Sequence, residues 1–188
     1  MSGRFDFIAT PLKDLYKVER KLIKDHRGFF SRLFCADEFK EIGFNEPIVQ
    51  MNHTLTRKKG AIRGMHYQNS PNIETKIVTC MQGEILDVAV DLRKDSPTFL
   101  KWYSEILSAE NQSSLFIPDG FAHGFQALSE DCLVFYMHST PFSSDDEGAL
   151  NAMDPKLAIK WPLQITEISK KDTNHPMLDE AFKGVIIT

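Results

Sequence analysis

The chain has 188 residues, 42% hydrophobic and 26% charged, which predicts one globular domain with its own core over residues 1–188 and no second domain. Its net charge of -4 is the small difference between 22 basic and 26 acidic side chains, with no long basic run to follow a phosphate backbone, so nucleic acid is not an expected partner. Apolar windows are of strand length rather than the ~20 residues that span a bilayer, and the N-terminal MSGRFDFIAT lacks a secretory apolar core, so a cytoplasmic protein without a membrane partner is expected.

In chain order, a short helix is predicted over residues 36–42, where Phe39 and Ile42 sit three apart and Gly43 supplies a stop. Period-two alternation then predicts strands over 48–55, 61–67, 76–81, 84–92, 102–107, 114–117, 124–128 and 132–139. Gly, Pro, Asn and Asp punctuate them at short intervals, the pattern of an antiparallel barrel or sandwich rather than a βαβ fold. Helical turns are expected after Asp154-Pro155 and Pro176, where proline suits the first helical position. The C-terminal section is expected to fold back over the barrel mouth.

Cys35, Cys80 and Cys132 are odd in number and lack metal-ligand spacing, which fits a reducing compartment and three small core residues. Asn52-His53-Thr54 and Asn111-Gln112-Ser113 match the glycosylation tripeptide and are read as chance matches.

Strand parity identifies the side chains that share a face. Within 84–92, Leu86, Val88, Val90 and Leu92 point one way and Ile85, Asp87, Ala89 and Asp91 the other, so the second face should border a polar cavity or a solvated edge. Lys76 aligns with Val78 and Cys80, and Tyr136 with Val134 and His138. Arg63 and His66 have opposite parity, and a bulge at Gly64 would bring both to one site.

The run Arg63-Gly64-Met65-His66-Tyr67-Gln68 has the makings of a site that moves protons on an anionic substrate. Proton transfer at a carbon beside a ketone needs a base near neutral pKa, a group that steadies the enolate oxygen, and an acid that returns the proton. His66 supplies a base, Asp172 or Asp87 a carboxylate for its far nitrogen, Lys76 the enolate partner, and Tyr136 an acid. Plainer readings exist for each: a strand histidine is more often a satisfied core residue, Tyr136 can bury its ring and satisfy its hydroxyl, and Lys76 and the Lys170-Lys171-Asp172 run would ordinarily be solvated.

Pro118-Asp119-Gly120-Phe121-Ala122-His123 resembles the second half of the cupin metal motif, but the expected paired histidines of the first half are replaced by His66-Tyr67-Gln68. That removes much of a three-histidine site, so no metal ligands are assigned.

Taken in order, QMNHT, GAIRGMHYQ, KIVTCMQGEILDVAVDLRKDSPTF, IPDGFAHGF, the Tyr136 strand, MDPKLAIKWP and ISKKD resemble the dTDP-4-dehydrorhamnose 3,5-epimerase family, from about Phe7 to Asp172. The resemblance implies an all-β, cupin-type jelly-roll barrel with a few short peripheral helices, commonly a homodimer whose subunits exchange N-terminal strands. It also implies epimerisation, without a cofactor, of a nucleotide-activated 4-keto-6-deoxy sugar at C3, C5 or both. By matching motif, His66 takes the place of the family's base, Asp172 of its dyad partner, Tyr136 of the acid, and Lys76 of the lysine near the keto oxygen. Arg63 would bind the diphosphate, with Arg27 of DHRGFF coming from a second subunit, and Gln50, Asn52, His123, Glu147 and Lys171 match further substrate-contacting positions.

Three positions depart from the family pattern: Arg32 where Glu is usual, Pro141-Phe142 where two tyrosines are usual, and Met137 where a lysine often follows the tyrosine. The first two bear on which base is held and on whether C3, C5 or both are inverted. A cupin sugar-nucleotide 3,4-ketoisomerase, a metal-dependent cupin oxygenase and a noncatalytic sugar-nucleotide-binding cupin share parts of the same pattern.

Overall fold

The computed structural model describes residues 3–187. Along them run strands β1 (Phe5–Ala9), β2 (Tyr16–Arg20), β3 (Ile23–Asp25) and β4 (Gly28–Phe30), helix α1 (Ala36–Phe39), then β5 (Gln50–Thr56), β6 (Ile62–Gln68), β7 (Lys76–Gln82), β8 (Glu84–Asp91), β9 (Trp102–Ser108), β10 (Ser113–Ile117), β11 (Phe121–Ala127), β12 (Cys132–His138), β13 (Glu147–Ala149) and helix α2 (Lys170–Thr173). The strands form a six-stranded sheet ordered β1-β2-β10-β7-β12-β5, a five-stranded sheet ordered β13-β6-β11-β8-β9, and the separate hairpin β3-β4, with antiparallel ladders throughout. This is the expected all-β jelly roll. All eight strands predicted from period two are present, with ends displaced by up to three residues.

Alternation explains the layers. Val78, Cys80, Ile85, Ala89, Leu115, Ile117, Phe121, Phe125 and Val134 fill the space between the sheets. The opposite face of β8 and its neighbours, with Val88, Val90 and Leu92, packs under Leu150, Ala152, Leu157, Leu178 and Val185 of the C-terminal segment. The outer face of the six-stranded sheet, including Ile77, Phe116 and Met137, is covered by Phe39 and Phe44 around α1. Each buried aliphatic side chain contributes about 1.5–3 kcal/mol. A one-residue slip of β8 would exchange Val88 and Val90 for Asp87 and Asp91, so its register is strongly specified.

Some expectations hold with a change of detail and others need correction. The helix predicted over 36–42 is one α turn, α1, continued by a 3-10 turn over Lys40–Ile42 and stopped by Gly43 at φ 83°. The segment after Asp154-Pro155 makes a single turn closed by Ala158 N–H to Asp154 C=O, but no helix follows Pro176; there the Leu178 N–H is captured by the Asp154 carboxylate. The C-terminal helix instead lies before Pro176, as α2. Most of the C-terminal section covers the outer sheet face, because Val88, Val90 and Leu92 need an apolar cover, while the stretch from Glu167 into α2 reaches the cavity rim. Cys80 and Cys132 are core residues, whereas Cys35 is half-buried at the start of α1; all three are free thiols. Among the described residues no helix is long and apolar enough to cross a membrane.

The bulge expected at Gly64 is present. His123 pairs with His66 and Phe125 with Arg63, so β6 has one residue more than β11 across this interval. Gly64 has φ 115°, and a Cβ there would stand 2.5 Å from Gly124 Cα and 2.7 Å from the His123 carbonyl. Glycine is therefore required, and the extra residue returns Arg63 and His66 to the same wall.

Candidate active site

The two sheets enclose a cavity of about 980 Å³ whose walls include His66, Arg63 and His123 from the five-stranded sheet and Asn52, Lys76 and Tyr136 from the six-stranded sheet. That volume lies at the upper end of the ~300–1,000 Å³ typical of small-molecule sites. Of the eleven sequence-predicted site residues, ten line the cavity: Gln50, Asn52, Arg63, His66, Lys76, His123, Tyr136, Glu147, Lys171 and Asp172. Arg27 does not. It sits at the β3-β4 turn, 78% exposed and paired with Asp25 at 2.6 Å.

On the first wall, His66 Nε2 is 2.8 Å from Asp172 Oδ1. Ser169 caps α2 by accepting a hydrogen bond from the Asp172 N–H, which fixes the carboxylate in the first helical turn. Burial lowers the His66 pKa from its ordinary value, and the adjacent carboxylate only partly offsets it. Burial works to raise Asp172, but the His66 hydrogen bond and charge, the Ser169 hydroxyl and the Gly64 N–H together hold it below the usual carboxylate range. The second carboxylate considered for His66, Asp87, is instead 2.7 Å from His123 Nε2. Asp87 is fully buried, and burial pushes its pKa up against the opposing pull of His123. Arg63 donates from Nε to Thr56 at 3.0 Å, and among the described residues it has no carboxylate at ion-pair distance, which leaves a cation on the wall for an anionic ligand.

The second wall is built around a carboxylate the sequence reading did not single out. Glu74 accepts from Lys76 Nζ at 2.7 Å and pairs with His138 Nδ1 at 2.7 Å; His138 Nε2 in turn lies 3.3 Å from Asn52 Nδ2. Burial works to raise Glu74, but Lys76 and His138 outweigh it and hold its pKa at about 2. Tyr136 stands edge-on to His123 with ring centroids 6.0 Å apart and lies stacked against His138 at 6.1 Å. Burial, followed by the Asp87 charge, pushes its phenol well above the ordinary value, so it is protonated at neutral pH.

At the mouth, Gln50 Oε1 accepts from the Phe142 N–H at 3.0 Å, and Gln68 binds the Pro141 carbonyl and the Ser143 N–H. Phe142 is 57% exposed and lines the opening. Glu147 and Lys171 pair at 2.7 Å across the rim. Arg32 is held by Glu38 at 2.6 Å, outside the cavity lining.

The arrangement can perform acid-base chemistry from two sides. With Nε2–H of His66 donated to Asp172, Nδ1 carries the free lone pair of a neutral imidazole. The facing sheet offers a protonated phenol and an ammonium. Two members of this set were missed in the sequence, Glu74 and His138, although both signals were present: Glu74 shares parity with Lys76, and His138 with Tyr136. Outside this set, His175 lies 3.4 Å from Asp172 and carried no strand-parity signal because it follows α2.

Comparison with known proteins shows which family the chain resembles. A family model described as dTDP-4-dehydrorhamnose 3,5-epimerase matches residues 9–180. A dTDP-4-dehydrorhamnose 3,5-epimerase of Salmonella typhimurium is 43% identical over 177 residues, covering 93% of this chain and 96% of the relative. The crystal structure of the enzyme of that name from Bacillus anthracis, with TDP and PPi bound, superposes with a TM-score of 0.89 at 40% identity, covering 93% of this chain and 99% of that one. A dTDP-6-deoxy-D-glucose-3,5-epimerase from Legionella pneumophila, in complex with dTDP-4-keto-L-rhamnose, gives 0.87 at 39% identity and covers 92% of each chain.

Proposed function

The chain belongs to the dTDP-4-dehydrorhamnose 3,5-epimerase family, and from that membership we propose how its cavity inverts a carbon beside a ketone. It is an isomerase acting on a nucleotide-activated 4-keto-6-deoxy sugar. The observation that carries the mechanism is the His66–Asp172 dyad on one wall and the protonated Tyr136 phenol on the other wall of one cavity.

His66 Nδ1 takes the proton from the carbon next to the C4 ketone while Asp172 stabilises the imidazolium through Nε2–H. The C–H electron pair moves into the enolate, and Lys76, oriented by Glu74, donates a hydrogen bond to its oxygen. Tyr136 delivers a proton to the opposite face of the carbon, which inverts it; solvent then resets both residues. The cycle is redox-neutral and draws on no cofactor. Arg63 serves the diphosphate, and Gln50, Asn52, His123, Glu147 and Lys171 position the sugar nucleotide.

One domain performs this chemistry, in the cytoplasm, where three free thiols are at home. The partner is a second copy of the chain. In the structure β1 and β2 extend the chain's own six-stranded sheet through β10, while β5 is left as a free edge flanked by exposed Val49, Met51 and Leu55. The β3-β4 hairpin exposes Ile23, Phe29 and Phe30. These surfaces suit burial in a homodimer, and the hairpin would then carry Arg27 to the neighbouring cavity.

The test is incubation with dTDP-4-keto-6-deoxyglucose in deuterium oxide, followed by NMR. Exchange at both C3 and C5 is expected. Exchange at C3 alone would redefine the enzyme as a single-site epimerase, a 3-keto product would make it a ketoisomerase, and no exchange would sink the catalytic reading.

A further inference from the structure

We propose that His66, Asp172 and His175 form a binding site for a divalent transition-metal ion of the zinc type, and that its occupancy switches the enzyme off. The binding claim stands on geometry alone; the inhibition claim rests on His66 acting as the base.

Asp172 lies in α2 and His175 three residues on, just past the Asn174 cap, where the His175 N–H donates to the Asp172 carbonyl at 3.4 Å and keeps the two side chains together. The pair meets His66 on β6. Asp172 Oδ1 is 2.8 Å from His66 Nε2 and 3.4 Å from His175 Nε2, and the two imidazoles meet edge to face with centroids 5.7 Å apart. One ligand atom from each of the three residues falls within 4.8 Å of the others. An ion about 2.0–2.2 Å from each would need them within roughly 4.3 Å of one another, so a small rotation of one ring closes the set.

The second observation concerns His175 itself. Its side chain is only 14% exposed, and Nε2 is shielded from solvent yet makes no hydrogen bond; the 3.4 Å approach to Asp172 lacks the required alignment. An orphaned buried polar atom ordinarily costs about 1–3 kcal/mol, and nothing in the proposed epimerase mechanism uses this nitrogen. A metal ion supplies the missing partner.

The donors define the ion's class. Two imidazole nitrogens and one carboxylate oxygen suit zinc, cobalt or nickel rather than calcium or magnesium, which prefer all-oxygen shells. Three protein ligands leave a further position toward the cavity, which His66 and Asp172 line. Lys76 and His175 both act electrostatically on His66, and Glu74 at 2.7 Å offsets the Lys76 charge.

Inhibition follows from proton bookkeeping. Metal at His66 Nε2 displaces the proton that this nitrogen donates to Asp172, and the neutral ring then carries its proton on Nδ1. The lone pair that would take the proton from the sugar carbon is gone, and the carboxylate that steadied the imidazolium is a ligand instead.

Chelator-treated protein should be titrated with Zn²⁺ by equilibrium dialysis and with Co²⁺ by visible absorbance, in wild type, His175→Gln and His175→Ala. One zinc per chain, a cobalt ligand-field spectrum and inhibition reversed by EDTA are expected for wild type. Both variants should keep metal-free epimerase activity near wild type, which reports their folding, while losing zinc affinity by more than the ~10–100-fold that an outer-shell partner costs. Equal zinc binding or equal zinc inhibition in wild type and variants would overturn the site, as would absence of binding in wild type. Zinc binding that depends on His175 in a protein that shows no exchange on any nucleotide sugar would uphold the site while defeating the epimerase mechanism.

Discussion

His66 Nε2 and Asp172 Oδ1 lie 2.8 Å apart although 106 positions separate them in the chain. Three local devices make the contact. The Gly64 bulge turns His66 onto the cavity wall, the Ser169 cap starts α2 at the rim, and the C-terminal segment that leads there is held by its own apolar cover over β8.

Removing either partner should separate binding from chemistry. His66→Asn deletes the base, and loss of solvent-deuterium incorporation by at least about 10²-fold is expected with nucleotide-sugar affinity retained. Exchange at the wild-type rate would refute the base assignment. Asp172→Asn leaves the ring in place without its charge partner, and a loss of similar order is expected in kcat.

The pH profile follows from the direction of the His66 shift. Because burial lowers its pKa below the ordinary histidine value, the base is neutral throughout the neutral range, and kcat/KM should fall only on an acid limb lying below about 6.5. Asp172 acts to raise that pKa, so Asp172→Asn should move the limb to lower pH still. A limb above 6.5 in wild type, or an upward move in the variant, would contradict the assignment.

Tyr136→Phe keeps the ring between His123 and His138 but removes the acid. Proton abstraction by His66 survives, so isotope exchange at the substrate carbon should fall less than net inversion, which is expected to drop about 10²–10⁴-fold. Parallel loss of both would count against a separate acid.

Glu74 is a stability determinant as well as a brace for Lys76. Its pKa falls from the unfolded carboxylate range to about 2, a linkage on the order of 3 kcal/mol. A depressed acid contributes fully above its unfolded pKa and loses that contribution as pH falls through its folded one. Wild type should therefore exceed Glu74→Gln in unfolding free energy by a constant margin at pH 5–7, and the margin should shrink as pH falls from about 4.5 toward 2. A margin that does not shrink with acid would mean that Glu74 acts by packing alone.

How much was legible in the sequence depended on periodicity. Successive residues of β7, β8, β10 and β12 enter different clusters on the two faces of their sheets, which period two detects, and the two side-chain sets of β8 read from parity are those observed. The hairpin β3-β4 is exposed along its whole length and β13 has three residues, so neither carries an alternating pattern to detect. At the site, His66, Asp172, Lys76 and Tyr136 entered through motif order rather than spacing, since a separation of 106 residues has no geometric reading in one dimension. Glu74 escaped notice because it lies just outside β7, where parity with Lys76 still operates but no strand signal calls attention to it.

The bulge offers the sharpest test of how backbone geometry produces the site. Gly64 and Gly43 both have positive φ, 115° and 83°, but an added Cβ at Gly43 meets nothing within 4 Å whereas at Gly64 it would meet Gly124 Cα at 2.5 Å. Gly43→Ala therefore incurs backbone strain alone, roughly 1 kcal/mol. Gly64→Ala adds a collision between two strand backbones that cannot rotate away, and a loss of about 2–5 kcal/mol is expected, a fall in Tm of roughly 5–15 °C. If the variant escapes the clash by giving up the extra residue in the ladder, Arg63 and His66 revert to opposite faces. Catalysis should then collapse even at temperatures where the variant remains folded. Similar thermal losses for the two substitutions, with activity intact in both, would show that the Gly64 bulge does not build the catalytic wall.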